Sequence, residues 1–344
     1  MRPVSNPPNP WSSSHRELLE PAPAAQVKVW EEEAKSFLSH NDSPDIGFRW
    51  SANPYRGCAH ACAYCYARPS HQYLGHGAGT DFETQLIVKK NAPALLRREL
   101  MRPSWKGEVI VFSGNTDCYQ PLEASYGLTR ACLEACLEFR QPVSLITKGA
   151  LIRRDIDVLD QLAKEARVHV NISLAWADAD MAKRMEPGAP SPANRIETMR
   201  RLADAGVSVG VGVAPIIPGL NESQIPEILE LAAGAGAKFA FRTLLRLPAE
   251  VEDVFVQALE ERFPSHAAKV MSLMRQMRGG KNYDSTFGKR MVGSGAGWEA
   301  ADELFKLSCR KWGLGYLTEE AGHFDDFRTA KKTFKRPQAQ GELF

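Results

Sequence analysis

From residue 46 onward, short runs of β-branched apolar residues alternate with stretches whose apolar residues recur every three or four positions. The runs at 46–51, 108–114 (EVIVFSG), 142–149 (PVSLITKG), 167–176 (RVHVNISLAW), 207–216 (VSVGVGVAPI) and 237–246 (AKFAFRTLLR) read as strands. Periodic stretches near 92–101, 123–139, 154–165, 191–205 and 223–234 read as helices. One of them opens on Ser191-Pro192 and closes on Gly206, a start and a stop signal in the right order. Strand–helix alternation with short loops implies a parallel sheet with helices outside it, and right-handed crossovers curl six such units into a partial (β/α)6 barrel.

The flanks break this rhythm. Residues 1 to about 25 are rich in Pro and Ser and read as a disordered arm, followed by a short helix over QVKVWEEEAKSFLS (26–39). Beyond 250 the pattern changes to helices plus a Gly-rich stretch, RGGKNYDSTFGKRMVGSGAGWE (278–299), and the polar end KKTFKRPQAQGELF reads as flexible. The expected organisation is an N-terminal arm with a short helix (1–44), the barrel (45–250), a loop-rich helical extension (251–336) and a flexible tail (337–344).

Composition adds class but little chemistry. The 344 residues are 44% hydrophobic and 24% charged, the profile of a soluble globular protein. No apolar run has the length of a membrane span, and the first residues lack the apolar core of a secretory signal, so a cytoplasmic location is expected; a monomer is taken as the default. In that reducing compartment seven cysteines, an odd number, do not suggest a disulfide framework. Net charge is +2, unevenly spread: residues 261–344 carry 15 Lys+Arg against 10 Asp+Glu. This basic C-terminal part fits either a solvated surface or a face for nucleic acid.

Three of the cysteines fall within NPYRGCAHACAYCYARP (53–69), as Cys58, Cys62 and Cys65. The C-x3-C-x2-C spacing lets one loop wrap one face of a metal centre. A structural zinc site needs four ligands, and His60 is the local fourth donor, though its place between Cys58 and Cys62 leaves the loop little freedom to turn it inward. An iron–sulfur cube usually takes four Cys; with three, one iron stays open to an outside ligand.

That incomplete set, with Tyr64 at the aromatic position before the last Cys, resembles the radical S-adenosylmethionine (SAM) superfamily. TDCYQPLE (116–123), TKG (147–149), ISL (172–174) and APIIPGLNE (214–222) fall at the ends of strand candidates, where a (β/α) barrel gathers its active site. Their order, together with NPYRGC…YARP and DFET (81–84), is similar to the branch containing spore photoproduct lyase and DNA repair photolyase-like proteins, within an uncharacterised bacterial subgroup. The resemblance covers about residues 45–250. It implies a 4Fe-4S cluster held by Cys58, Cys62 and Cys65, and SAM bound at the open iron. It also implies reductive cleavage of SAM to a 5′-deoxyadenosyl radical that abstracts hydrogen from a substrate, with electrons from a flavodoxin- or ferredoxin-type reductant.

The same resemblance assigns residues. Tyr64, Lys148 and Ser173 match positions that contact SAM, and Pro215, Ile216 and Ile217 suit packing under the adenine. The usual Gly-Gly-Glu of the second loop is replaced by SGNTD (113–117), so Ser113, Asn115 and Asp117 stand as cofactor-binding substitutes by position. Tyr66 is a candidate for radical handling. The photoproduct lyases carry a hydrogen-donating Cys shortly before the residue matching Asp117; here that stretch is Gly114, Asn115 and Thr116. Cys118 is then either a relocated donor or a sign of a different reaction, and the second is favoured. The substrate class implied is DNA or RNA.

The remaining features read as scaffold. Cys132 and Cys136 share a helix face and Cys309 stands alone, all as core residues, so a single cluster is expected. GSGAG (293–297) lacks the Lys-Ser/Thr of a phosphate loop; with Lys281, Lys289 and Arg290 nearby it is either a surface loop or a contact to a nucleic-acid backbone. QGELF, with Gln340, Leu343 and Phe344, resembles the peptide by which bacterial polymerases and repair proteins dock onto the sliding clamp. The rival readings are a zinc-stabilised, non-catalytic nucleic-acid- or clamp-binding protein and a redox iron–sulfur protein without SAM.

Overall fold

The structure is a computed structural model that describes residues 6–7, 9–11, 26–316 and 333–337. Gln340, Leu343 and Phe344 lie outside the described residues, as does most of the N-terminal arm. In chain order the strands are β1 (Lys28–Glu32), β2 (Leu38–His40), β3 (Trp50–Ala52), β4 (Tyr55–Arg56), β5 (Gln85–Lys89), β6 (Ile110–Phe112), β7 (Val143–Thr147), β8 (Val168–Ser173), β9 (Ser208–Ile216), β10 (Phe239–Leu244) and β11 (Gly315–Tyr316). Helices are α1 (Thr80–Thr84), α2 (Ala92–Met101), α3 (Glu123–Tyr126), α4 (Leu128–Glu138), α5 (Ile156–Glu165), α6 (Ala179–Met185), α7 (Pro192–Asp204), α8 (Ile225–Gly234), α9 (Val251–Arg262), α10 (Pro264–Met277) and α11 (Ala296–Trp312).

Eight strands form one sheet in the order β11-β10-β9-β8-β7-β6-β3-β2. Every pair from β3 to β11 is parallel, and only β2 runs antiparallel, with Leu38 opposite Ala52. The outer strands β2 and β11 do not pair with each other, so the sheet stays open, as a partial barrel must. Strand β8 shows how one sequence serves two faces. Val168, Val170 and Ile172 are buried, while His169, Asn171 and Ser173 line the interior cavity. On β9, Val209, Val211 and Val213 are buried in the same way. Gly212 faces the opposite side, where an added Cβ would lie 2.6 Å from the ring of Phe241.

Three expectations need correction. The helix expected over 26–39 is replaced by β1 and β2. Glu31–Glu33 favours a helix locally, but β1 finds a parallel partner in β5, and Lys90 and Tyr126 each meet Glu31 at 3.0 Å. Tertiary pairing overrides a weak local preference. The helix expected over 123–139 breaks at Gly127, whose φ of +63° ends α3 and starts α4. Finally, residues 333–337, expected to be flexible, are docked. Phe334 stacks on Phe139 with ring centroids 6.3 Å apart, and the Lys335 amide donates to the Phe139 carbonyl at 2.8 Å. Arg336 donates to the carbonyls of Arg102 and Trp105.

The Gly-rich stretch is also held in place. Buried Arg278 donates to the carbonyls of Lys289, Val292, Leu245 and Arg290 at 2.8–3.1 Å, winding the loop around one guanidinium. Asp45 then accepts from the Gly288 amide at 2.6 Å and from Arg290, tying the loop to the segment before β3 across the open side of the sheet. Among the described residues no helix is long and apolar enough to cross a membrane.

Docking of the 333–337 segment is testable. Phe334→Ala removes the ring stacked on Phe139 and should lower stability by about 1–2 kcal/mol, less than a fully buried Phe. A urea midpoint identical to that of the wild type would show that the segment does not pack on Phe139.

Candidate active site

The cysteine loop follows β4 and is braced from every side. Gly57 adopts φ +74°, and a Cβ there would lie 2.8 Å from the Phe82 carbonyl, so this position takes glycine. The Cys58 amide donates to Phe82 O at 2.9 Å, and the Ala63 amide to Met185 O at 3.0 Å. Gln120 clips the loop from both ends, donating to Gly57 O and accepting from the Ala59 amide. Fully buried Arg68 donates twice to the Cys62 carbonyl and also to the carbonyls of Ala78 and Gly79. Behind the loop, Gly188 is so close that a Cβ would sit 2.0 Å from Ala59 O. Other residues of NPYRGC set its posture: Asn53 Oδ1 accepts from the amides of Asn115 and Thr116, Tyr55 donates to Glu123, and Arg56 pairs with Glu32 at 3.1 Å.

Around this loop two buried carboxylates organise the strand ends. Glu186, after α6, accepts from the Tyr64 hydroxyl and from the Arg195 guanidinium, and Lys148 Nζ lies 4.0 Å away. Burial pushes its carboxyl above the ordinary range, and Arg195 opposes that push. Arg195, fully buried on α7, also donates to Ser173 O at 3.1 Å. Asp117, after β6, accepts from Thr147 Oγ1 at 2.6 Å and from the Lys148 and Tyr119 amides, and lies 3.3 Å from His60 Nδ1. Burial alone would raise its pKa, but His60, Thr147 and the Lys148 amide outweigh burial and hold it well below the usual carboxylate range.

A cavity of about 1270 Å³ opens at these strand ends and runs into the barrel. Cys58, Cys62 and Cys65 line it, as do Tyr64, Tyr66, Ser113, Asn115, Asp117, Lys148 and Ser173, so nearly all the residues singled out in the sequence meet in one place. Their roles differ. Tyr64 is buried on Glu186, whereas Tyr66 is 45% exposed, its hydroxyl on Gly114 O at 3.0 Å. Lys148 Nζ sits 5.6 Å from the Tyr64 ring centroid. Asp117 has its oxygens engaged by protein donors, so it positions the β7 end rather than offering a free ligand. Ser113 (φ +70°) turns its hydroxyl back to accept from the Cys118 amide at 2.9 Å, and Asn115 donates to Ser70. Pro215 lines the cavity, but Ile216 and Ile217 are buried in the core.

Cys118 is the residue the structure removes. It is fully buried in the hydrophobic core and does not line the cavity, and burial raises its thiol well above the ordinary range. One residue on from Asp117, which lines the cavity, its side chain packs in the core instead. Cys132, Cys136 and Cys309 are buried as expected. Sequence reading missed Glu186, Arg195, Arg246 and the lumen pair His169 and Asn171. Only the last two had a signal, the alternation of VHVNIS.

The donors fit an iron–sulfur cluster. The three thiols are free of disulfides and share one cavity. Burial pushes Cys58 well above its ordinary range and Cys62 up to about 12, so these sulfurs become thiolates only beside a strongly cationic group. A single zinc ion fits less well. Among the described residues no three His, Cys, Asp or Glu side chains converge at single-ion distance, and His60 is drawn to Asp117.

Residues 52–232 match the family model described as Radical SAM superfamily. An uncharacterised protein of Mycobacterium tuberculosis is 38% identical over 233 residues, covering 67% of this chain and 68% of that protein. An uncharacterised protein of Methanocaldococcus jannaschii is 28% identical over 196 residues, 57% of this chain and 70% of that protein. Among solved structures, a spore photoproduct lyase mutant with bound AdoMet and dinucleoside spore photoproduct superposes with a TM-score of 0.56 at 16% identity, covering 84% of this chain and 80% of that one. The structural likeness shows a shared fold, and the expected partial α/β barrel is therefore correct. With the braced C-x3-C-x2-C loop at the carboxyl ends of a parallel sheet, the chain belongs to the Radical SAM superfamily, whose cofactors are a 4Fe-4S cluster and SAM.

Proposed function

We propose that this radical SAM enzyme abstracts hydrogen from a nucleotide unit of DNA or RNA, with Cys58, Cys62 and Cys65 holding the cluster. The observation that carries the reading is the single cavity of about 1270 Å³ with the three thiols in its wall and aromatic surface from Tyr66, Phe239 and Phe241. That exceeds the 300–1,000 Å³ typical of small-molecule pockets and leaves room for a substrate beside SAM. Support comes also from the fold neighbour with bound dinucleoside spore photoproduct and from the basic residues 261–344.

The chemistry supplied by the bound cluster and SAM is one-electron reductive cleavage and hydrogen abstraction, with an external flavodoxin- or ferredoxin-type donor. This chain positions the parts. Lys148 is the cation for the carboxylate of SAM, and Tyr64, fixed by Glu186, backs it. Ser173, with its hydroxyl 3.5 Å from Ala214 O, keeps donor capacity for the same ligand. The Tyr66 phenol faces the open cavity from a fixed point on Gly114 and is the group assigned to hydrogen transfer.

Anaerobic reconstitution should give a brown protein with about four irons per chain, and Cys58→Ala, Cys62→Ala or Cys65→Ala should each abolish it. Reduced with dithionite in the presence of SAM, the wild type should release 5′-deoxyadenosine faster with a DNA or RNA oligonucleotide than without. Colourless protein with stoichiometric zinc would overturn the chemistry, and stimulation by no nucleic acid would overturn the substrate class.

Two variants test the site assignments. Cys118→Ala should leave 5′-deoxyadenosine formation within about twofold of wild type; a loss of a hundredfold or more would restore it as a donor. Glu186→Gln leaves buried Arg195 without its counter-charge and should cost about 3 kcal/mol of stability in urea melts. An unchanged midpoint would show that the carboxylate does not hold the site together.

A further inference from the structure

Arg246, two residues past β10, is an exception among the arginines at the cavity mouth. Arg242 pairs with Asp302, Arg290 with Asp45, and Arg278 is satisfied by four carbonyls. Among the described residues Arg246 has no carboxylate partner. Its Nε is buried without a hydrogen bond, and Nη1 has only a weak contact, 3.7 Å to the sulfur of Met291. The guanidinium lies 5.0 Å from the Tyr66 ring centroid and lines the cavity. A half-buried cation without a counter-charge is unfavourable, and a guanidinium over an aromatic ring with its N–H groups largely unpaired retains the donor fork that suits phosphate.

A second observation lies on the docked Gly-rich loop that walls the same mouth. Phe287 is 57% exposed there, flanked by Gly288, which lines the cavity, and by exposed Lys289. The Arg290 guanidinium sits 4.8 Å from the Phe287 ring centroid. A solvent-facing aromatic among cations on a fixed loop is the arrangement on which bases of single-stranded nucleic acid stack.

We infer that Arg246 anchors a backbone phosphate of a single-stranded nucleic acid whose flanking base stacks on Phe287, which places the target nucleotide over Tyr66. The inference rests on the nucleic-acid reading above and adds the polarity of the substrate site. Lys148, beside Tyr64 and Glu186, serves the cysteine side; Arg246 serves the substrate side, with Tyr66 between them.

The test uses cluster-loaded enzyme, a fluorescent single-stranded oligonucleotide and binding by anisotropy across a salt series. Arg246→Gln should weaken binding at least fivefold and reduce the slope of log K against log salt by about 0.7, one phosphate's worth for a single strand. Arg246→Lys should keep the slope. Phe287→Ala should weaken binding about tenfold and leave the slope alone, as lost stacking does. SAM affinity by equilibrium dialysis and iron content should stay at wild-type values in all three. Wild-type affinity and slope in Arg246→Gln would overturn this inference while leaving the nucleic-acid reading standing. Loss of SAM binding in Arg246→Gln would overturn it too, assigning the guanidinium to the cofactor. A wild-type enzyme that binds no oligonucleotide would overturn both.

Discussion

One buried carboxylate joins the parts of this protein that chemistry needs together. Glu186 meets Tyr64 from the cysteine loop and Arg195 from α7, with Lys148 from the end of β7 within 4.0 Å. Arg195 extends the link to the end of β8 through Ser173 O. A charge this deep is tolerated only when paired, and losing one partner of such a pair costs about 3–5 kcal/mol. The network therefore sets the distance between the thiols and the strand ends. Asp117 does the same for the ends of β6 and β7, with His60 reaching it from inside the cysteine loop.

These posts explain why a loop of small residues can hold its shape. Between Cys58 and Cys62 the side chains are Ala59, His60 and Ala61, which give the backbone little to pack with. Support comes from outside instead: Arg68 on the Cys62 carbonyl, Gln120 across Gly57 and Ala59, and Gly188 pressed against Ala59. Rigidity supplied by surrounding hydrogen bonds lets the thiols stay clear of other partners, as a preorganised site requires.

Much of this was legible in the sequence, for identifiable reasons. Strands β6 to β9 are rich in β-branched residues and their flanking helices agree with that pattern, so local and global signals coincide there. The cysteine spacing is dense enough to be specific, and the matching strand-end residues sit where a parallel sheet gathers its loops. What escaped was long-range. Glu186 and Arg195 belong to a loop and a helix with no motif, and their meaning comes from Tyr64, more than 120 residues away. The strand at Lys28–Glu32 depends on a partner, β5, that no local pattern announces. The Gly-rich stretch looked like loose surface because Arg278 satisfies it through carbonyls, and carbonyls carry no sequence signal. Cys118 shows the converse: it neighbours Asp117 in sequence, yet its side chain is buried in the core, in keeping with the favoured reading that it is not a relocated donor.

The central claim is that three thiols hold a cluster whose fourth position is kept for SAM. Electron–nuclear double resonance on the reduced, reconstituted protein, with SAM labelled at its amino nitrogen and carboxylate oxygen, tests it most directly. The account expects hyperfine coupling from both labels to the cluster in the wild type. A cluster signal with no coupling to either label would contradict it.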